Sequence, residues 1–296
     1  MSFFRSMLFA PGNHPRRVEK ALDLEVDSVI LDLEDAVAIN EKILARSQVA
    51  KALSRPRKGS ARVRINAFET PFCVDDLRAV AVAGLDGIVL AKVESAAQLV
   101  AVDWLLRALE RERGLVEGGI DLMPIIETAA SLSALREIAA CGLARVRRLS
   151  FGAADLTLDL GMRWTRDEHE LDSVRTRIVI ESKAAGLEAP VDTVFARLGD
   201  PQGLCASARR ARDLGFQGKL CIHPEQIDPV NTLFTPDGEE VAHARRIIAA
   251  FESAEAEGSA SIRLDGQFID YPIVERARRI VDIAQQRSTM PDIIHR

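Results

Sequence analysis

Two acidic side chains, Glu127 and Asp155, each follow a short apolar run typical of a buried strand: PII directly before the first and LSF shortly before the second. Burying a carboxylate without a cation nearby costs free energy, so a stable fold keeps such acids only where a cation meets them. Two carboxylates with water and substrate oxygens provide the surroundings that Mg²⁺ prefers. Both acids are therefore candidate magnesium ligands. The alternative is that each pairs with Arg64 or Lys92, or caps the helix that follows.

Basic side chains near the same predicted strand ends could bind anionic groups. Arg64 has an inward-facing position at the end of the run ARVRIN, by alternation from Arg62. A guanidinium there could bind a carboxylate or a developing oxyanion in two-point geometry, or else pair with the acids of LDLED. Arg16 and Lys20 lie one helical turn apart and could hold a phosphate, although such pairs are also common on solvated surfaces.

The composition is that of an ordinary folded protein. The chain has 296 residues, of which 47% are hydrophobic and 28% charged, and its formal net charge is −5. This charge gives no overall attraction to nucleic acid or to an anionic membrane, and no apolar run is long enough to span a bilayer. The four cysteines form no C-x-x-C pair and the histidines are dispersed. We expect a cytoplasmic protein with reduced thiols and without structural zinc.

Strand-like runs alternate with stretches of helical periodicity, which indicates parallel βαβ units. The strands are expected at 5–10, 28–33, 61–66, 86–92, 121–127, 147–152, 192–196 and 219–223. The helices are expected at 15–25, 40–54, 73–83, 95–113, 131–140, 166–185, 202–214, 239–256 and 272–287. Roughly eight units favour a (β/α)8 TIM barrel. An open doubly wound sheet is the alternative, but FAPGNHPRR after the first strand is not the G-x-G-x-x-G turn of that fold.

The predicted barrel would bring the polar residues at its strand ends together. Catalytic groups of such barrels lie at the C-terminal ends of the strands. The residues expected there are Asn13, Asp32, Glu34, Asp35, Arg64, Asn66, Lys92, Glu94, Glu127, Asp155 and His223. The composition changes after Glu257, where GSASIRLDGQFIDYP is rich in glycine and serine. We therefore expect a barrel domain at 1–257 and a C-terminal lid or extension at 258–296.

Several motifs together resemble a known family. They are RSMLFAPGN, LDLEDAV, RVRIN, AKVES, PIIET, FGAADL, GKLCIHPEQI and GQFIDYP. Their order and spacing over roughly residues 4–287 are similar to those of the citrate lyase β-subunit-like group, which is related to malyl-CoA and citramalyl-CoA lyases within the HpcH/HpaI aldolase superfamily. The resemblance implies a TIM barrel with a C-terminal lid, Mg²⁺, acyl-CoA substrates, and a homotrimer or hexamer.

The resemblance also implies roles for individual residues. Glu127 and Asp155 match the family's Mg²⁺ ligands, and Glu127 also lies among its substrate-contacting and catalytic positions. Arg64 matches its substrate-binding and catalytic arginine. Asp270 matches the catalytic aspartate, which family members place in the active site of a neighbouring subunit. Phe9 takes the place of an aromatic residue, often tyrosine, that touches substrate or CoA.

The same resemblance implies a binding site for coenzyme A. Arg16 and Lys20 match basic positions that meet the CoA phosphates, and Ile222 and His223 match a loop that contacts the CoA arm. The chain departs from many relatives at Ala91, where they have proline, and at Phe9, which lacks a tyrosine hydroxyl. Neither departure removes a catalytic group, so both bear on the substrate subclass.

The implied activity is reversible Claisen-type cleavage of a 3-hydroxy-carboxyacyl-CoA such as citramalyl-CoA or malyl-CoA, which yields acetyl-CoA and a 2-oxo acid. Three alternatives remain within the same site: the β subunit of an acyl-carrier-dependent citrate lyase, a malyl-CoA thioesterase, and an aldolase for free hydroxy acids. A barrel that binds acyl-CoA without catalysis is the alternative from another class.

Overall fold

Eight parallel strands close into a barrel, with neighbours paired in chain order and the first strand paired with the eighth. The structure is a computed structural model that describes residues 3–288. The barrel strands are β1 (Ser6–Pro11), β2 (Ser28–Asp32), β3 (Ser60–Ile65), β4 (Gly87–Leu90), β5 (Asp121–Ile126), β6 (Ser150–Phe151), β7 (Val191–Asp192) and β8 (Gly218–Cys221). This confirms the predicted (β/α)8 barrel and excludes the open doubly wound sheet.

Helices follow the strands of the barrel. They are α1 (Pro15–Leu22), α2 (Lys42–Ala52), α3 (Cys73–Val80), α4 (Ala96–Glu112), α5 (Ala129–Ser133), α6 (Leu135–Ala139), α7 (Ala153–Asp159), α8 (Asp172–Ala184), α9 (Pro201–Leu214) and α10 (Ile227–Leu233). Capping side chains and a glycine define the ends of several helices. Ser95 and Gln98 form a capping box at the start of α4, and Asp200 caps α9. Gly215 ends α9 in the left-handed conformation.

The structure differs from the expected elements mainly in its middle. Strands β6 and β7 have two residues each and make only short ladders with their neighbours. The helix expected at 131–140 is divided at Ala134, whose dihedral angles are not those of a regular helix. Helices α7 and α10 were not predicted, because each has only seven residues and so shows little periodicity.

The barrel interior is filled by apolar side chains. The cluster comprises Phe4, Met7, Ile30, Val89, Met123, Ile125, Val191 and Leu220, with Phe9 and Val194 packed against it. The Phe4 ring also packs against the guanidinium groups of Arg62 and Arg148, whose Cζ atoms are 4.8 and 4.7 Å from its centroid. Asp121 pairs with both arginines at 2.8 Å. Phe4 precedes β1 and Asp121 begins β5, so this cluster lies toward the N-terminal ends of the strands, opposite the strand-end residues.

A second compact unit begins at Thr232. It contains α11 (Gly238–Ala256), a hairpin of β9 (Ile262–Leu264) and β10 (Gln267–Ile269), and α12 (Tyr271–Ser288). Asp265 and Gly266 form the hairpin turn, both at positive φ, as a two-residue turn of type I′ requires. The start of this compact unit does not define a domain boundary. The boundary expected at 257/258 therefore stays a prediction. Among the described residues, no helix has the length and apolar character needed to cross a membrane.

Candidate active site

Glu127 directly follows β5 and is almost completely buried, with 2% of its surface exposed. The Ser131 hydroxyl accepts the N–H groups of Glu127 and Thr128 at 3.1 and 2.8 Å, which holds the chain as it turns into α5. Glu127 Oε2 lies against Gly152, where a Cβ atom would come within 2.3 Å of it. Only glycine at position 152 leaves room for the carboxylate in this orientation.

Asp155 lies in the first turn of α7, a few residues beyond β6. Its side chain is 25% exposed, and its Oδ1 atom is 3.2 Å from the ammonium of Lys92. Lys92 also donates its backbone N–H to Glu127 Oε1 at 2.8 Å. The two predicted metal ligands therefore share one neighbour. Asp155 makes the ion pair with Lys92 that the sequence left as an alternative, whereas Glu127 accepts the backbone N–H of Lys92.

Lys92 joins these acids to the loop after β2. Its Nζ atom donates a short hydrogen bond to Glu34 and lies 3.5 Å from Asp35. Lys42 secures that loop, because its buried ammonium donates to the carbonyl oxygens of Leu33 and Glu34, each at 2.9 Å. In the sequence Lys92 and Glu34 stand at predicted strand ends, but nothing in residue type or spacing predicts their contact. Only the closure of the barrel brings them together.

Arg64 is held from two sides. Its Nε and Nη2 atoms donate to the two oxygens of Asp32 at 2.7 and 2.5 Å, and Nη1 lies 3.1 Å from Glu34 Oε2. The Phe9 ring covers the guanidinium, with Cζ 4.7 Å from the ring centroid. The structure thus shows Arg64 paired with the acids of β2 and its loop. Phe9 packs against the guanidinium of this arginine.

The electrostatics of this cluster shift several pKa values. Burial, together with the charges of Glu34 and Asp155, raises the pKa of Glu127 to about 8, although Lys92 and Arg64 oppose the shift. Burial also raises the pKa of Glu34 against the same two cations. Burial alone would lower the pKa of Arg64, but its pairing with Asp32 raises the pKa of the guanidinium above its usual value.

The residues of this cluster fit a hard divalent cation. Glu127 and Asp155 supply carboxylate oxygens, whereas Glu34 Oε2 already lies 3.1 Å from Arg64 Nη1. A cation would offset the burial and the repulsion that together raise the pKa of Glu127. No group of three or more His, Cys, Asp or Glu residues suited to a metal occurs in the described part of the chain. An ion held here would keep open positions for water or substrate oxygens, as Mg²⁺ does.

The expected CoA-binding residues lie in two places around the strand ends. Arg16 and Lys20 extend from α1 into solvent and, within residues 3–288, form no ion pair. His223 and Ile222 follow β8; the His223 side chain is 42% exposed and Ile222 is 39% exposed. A cavity of about 140 Å³ between the β7 and β8 loops is lined in part by His223 and Arg197.

Asp270 belongs to the second compact unit and directly precedes α12. Its carboxylate accepts the N–H of Ile273 at 3.4 Å, so it contributes to the start of that helix. The role and the location in a neighbouring subunit that the family resemblance implies remain predictions.

The closed barrel, with carboxylates, an arginine and a lysine gathered beyond the ends of its strands, defines a barrel enzyme whose site suits a divalent cation and an anionic substrate. The chain belongs to the HpcH/HpaI aldolase/citrate lyase family, whose model matches residues 5–224. Its relatives place it in a family of Mg²⁺-dependent carbon–carbon lyases.

Two curated relatives and one solved structure support this assignment. The citrate lyase subunit beta of Leuconostoc mesenteroides subsp. cremoris is 39% identical, over 95% of this chain and 93% of that protein. The L-malyl-CoA/beta-methylmalyl-CoA lyase of Cereibacter sphaeroides (strain ATCC 17025 / ATH 2.4.3) is 36% identical, over 96% and 95%. The crystal structure of the protein CitE from Mycobacterium tuberculosis in complex with magnesium, acetoacetate and coenzyme A is 31% identical, with a TM-score of 0.77 over 96% of this chain and 99% of that one.

Proposed function

We propose that this enzyme cleaves a 3-hydroxy-carboxyacyl-CoA of the citramalyl-CoA or malyl-CoA type into acetyl-CoA and a 2-oxo acid, reversibly and with Mg²⁺. The bond that breaks joins the hydroxyl-bearing carbon to the methylene next to the thioester. The hydroxyl loses its proton, and the electron pair of the broken bond passes to the methylene carbon, which is protonated to give acetyl-CoA. The observation that carries the proposal is the buried, high-pKa Glu127 next to Asp155, Lys92 and Arg64.

Glu127 and Asp155 would hold Mg²⁺ in this proposal. The ion, when bound, lowers the pKa of the substrate hydroxyl and polarises the carbonyl that forms. Ser131 and Gly152 fix the Glu127 carboxylate, the first by accepting the backbone N–H groups at 127 and 128 and the second by leaving space for Oε2. A ligand positioned in this way requires little reorganisation when the cation arrives.

Arg64 and Asp270 would handle charge and protons. Arg64 keeps donor hydrogens beyond those that bind Asp32 and Glu34, so it can stabilise the negative charge that develops on the thioester oxygen. Asp270 of a neighbouring subunit would accept the hydroxyl proton during cleavage and deliver it to the methylene carbon, and it would reverse both transfers during synthesis. This role requires a homo-oligomer, which we propose to be a trimer or a hexamer.

The CoA portion would bind at the edge of the barrel mouth. Arg16 and Lys20 are exposed cations without a partner in the described chain, which suits them to phosphate groups. Ile222 and His223 would contact the CoA arm, and Phe9 would contact the substrate or CoA from its position over Arg64.

The test is to offer citramalyl-CoA, malyl-CoA and related thioesters in the presence of Mg²⁺ or EDTA and to measure the free 2-oxo acid and acetyl-CoA. Glu127→Gln should abolish turnover while the circular dichroism spectrum stays unchanged. Glu112→Gln, at an exposed position at the end of α4, is the matched control and should retain full activity. Turnover that survives EDTA, or near-normal activity of Glu127→Gln, would refute the proposal.

A second candidate is the β subunit of a citrate lyase, acting on a citryl group carried by acyl carrier protein. The 39% identity to the Leuconostoc subunit favours it. Citryl-acyl carrier protein, assayed in parallel with citramalyl-CoA and malyl-CoA, separates the two candidates by their kcat/KM values. Release of free CoA with malate instead of acetyl-CoA would identify the enzyme as a thioesterase.

A further inference from the structure

We infer that Lys92 is the built-in counter-cation of this site: it neutralises Asp155 and Glu34 in the metal-free enzyme and must release Asp155 when a divalent cation binds, so that it limits metal affinity. The inference rests on the proposed metal position at Glu127 and Asp155. It assigns a positioning role to a residue that the chemistry of cleavage does not require.

The backbone at Lys92 is in an unusual conformation. Its φ angle is 51°, in the left-handed region that a residue with a Cβ atom adopts only at a cost. The neighbours Ala91 and Val93 are fully buried, which fixes the chain on both sides. This conformation directs the Lys92 N–H to Glu127 Oε1, where the hydrogen bond is 2.8 Å long. The turn thus helps to hold the Glu127 carboxylate in its orientation.

The side chain of Lys92 reaches the other acids of the site. Its ammonium donates to Glu34 and lies 3.2 Å from Asp155 Oδ1 and 3.5 Å from Asp35 Oδ2. Only 30% of the side chain is exposed, so solvent screens these contacts weakly. One ammonium therefore contacts acids from the β2 loop and from α7.

Asp155 cannot present the same oxygen to a divalent cation and keep its close contact with the ammonium, because the two positive charges would repel each other at short range. Glu34 and Asp35 remain available to Lys92 when Asp155 binds the metal. The ammonium would therefore move toward the β2 loop on metal binding. The free energy needed to break its contact with Asp155 would weaken the binding of the metal.

The experiment measures Mg²⁺ binding by isothermal titration calorimetry in Lys92→Met, which keeps the chain length and removes the charge. We expect its dissociation constant for Mg²⁺ to fall by about tenfold or more, because a nearby like charge is lost. Lys92→Arg keeps the charge and should bind Mg²⁺ within about threefold of the unmodified protein. Lys58→Met, at an exposed lysine paired with Glu25, is the remote control and should change nothing. Equal or weaker Mg²⁺ binding by Lys92→Met would overturn the inference.

Thermal melting provides a readout that does not depend on turnover. Without metal, Lys92→Met should melt below the unmodified protein, since the acids lose their counter-ion, and saturating Mg²⁺ should raise its melting temperature more. Equal increments in the two proteins would contradict the inference.

Lys92→Gln is the second variant if Lys92→Met fails to fold. In the protein without substitutions, isotope-labelled methyl groups can be placed on the lysines by reductive methylation. Their NMR signals should show a Mg²⁺-dependent chemical-shift change at Lys92 and none at Lys58. The absence of that shift overturns the inference without any variant.

Two variants separate this inference from the proposed function. If Asp155→Asn and Glu127→Gln bind Mg²⁺ as well as the unmodified protein does, the proposed metal position is wrong. If both lose Mg²⁺ while Lys92→Met keeps the original affinity, the metal position stands and only the role of Lys92 fails.

Discussion

Replacing Asp32 with asparagine should displace the guanidinium of Arg64 while leaving the shape of the site nearly unchanged. Asp32 is 1% exposed and pairs with Arg64 through two hydrogen bonds of 2.7 and 2.5 Å. It also accepts the N–H groups of Glu34 and Ala36 at 2.9 and 3.2 Å. Removing one partner of a buried ion pair costs roughly 3–5 kcal/mol, because the other charge is left without compensation.

The cost at Asp32 should lie near the lower end of this range. Arg64 keeps its contact with Glu34 at 3.1 Å, and its side chain is 13% exposed, so part of its charge stays compensated. A loss of about 3 kcal/mol lowers the melting temperature of a unit of this size by roughly 6–12 °C. A guanidinium displaced by about 1 Å lowers kcat/KM by roughly a hundredfold.

The assay combines thermal melting with steady-state cleavage of the best CoA thioester. Asp35→Asn is the matched control on the same loop, because the Asp35 side chain is 58% exposed and its contact with Lys92 is long, at 3.5 Å. It should change the melting temperature by less than about 2 °C, since exposed pairs contribute little. The reasoning is refuted if Asp32→Asn melts as the control does, or if its kcat/KM stays within about threefold of the unmodified enzyme.

Three further predictions concern the metal, the oligomer and the CoA site. The pKa of Glu127, raised to about 8, means that Mg²⁺ must displace a proton below that pH. Mg²⁺ affinity should therefore rise from pH 6 to pH 8 and level off above, with proton release measured by calorimetry in buffers of different ionisation enthalpy; a pH-independent affinity would contradict this. Glu127→Gln and Asp270→Asn should each be inactive, but refolding them together should restore about a quarter of the activity if Asp270 acts across subunits of a randomly mixed trimer. No recovery would place Asp270 in its own subunit or outside the reaction. Replacing Arg16 and Lys20 with glutamine should raise the KM for the CoA thioester about tenfold and leave kcat unchanged, and the effect should shrink at high salt. An unchanged KM would show that these cations do not meet CoA.

Much of the fold could be predicted because it depends on local pattern. Alternating strand-like and helical runs predicted the barrel, and six of the strands lie close to their expected ranges. β6 and β7 were predicted too long because the strand-like runs RRLSFG and DTVFA extend beyond the two residues of each strand. Asp192 in β7 is buried only because Lys219 and Arg175 pair with it, at 2.6 and 2.8 Å. Those partners come from other elements, so no local pattern reveals them.

The candidate site could be predicted only in part. Glu127 and Asp155 were predicted because each follows an apolar run, and such runs end at the mouth of a parallel barrel. Arg64 was predicted by alternation from Arg62 near the end of a strand. The contact between Lys92 and Glu34 could not be predicted, because it spans 58 residues of chain and depends on the barrel closing. The left-handed turn at Lys92 has no sequence signal, since lysine rarely adopts it.

The sequence by itself determined the class of fold, the identity of the acidic and basic residues available for chemistry and, through its motifs, the family. These properties follow from residue type and spacing along the chain. Only the tertiary structure decided which charges face each other: Arg64 opposite Asp32 on the neighbouring strand, and Lys92 between Asp155 and Glu34. The physical reason is that pKa values and ion pairs depend on distance and burial, which exist only once the barrel has closed.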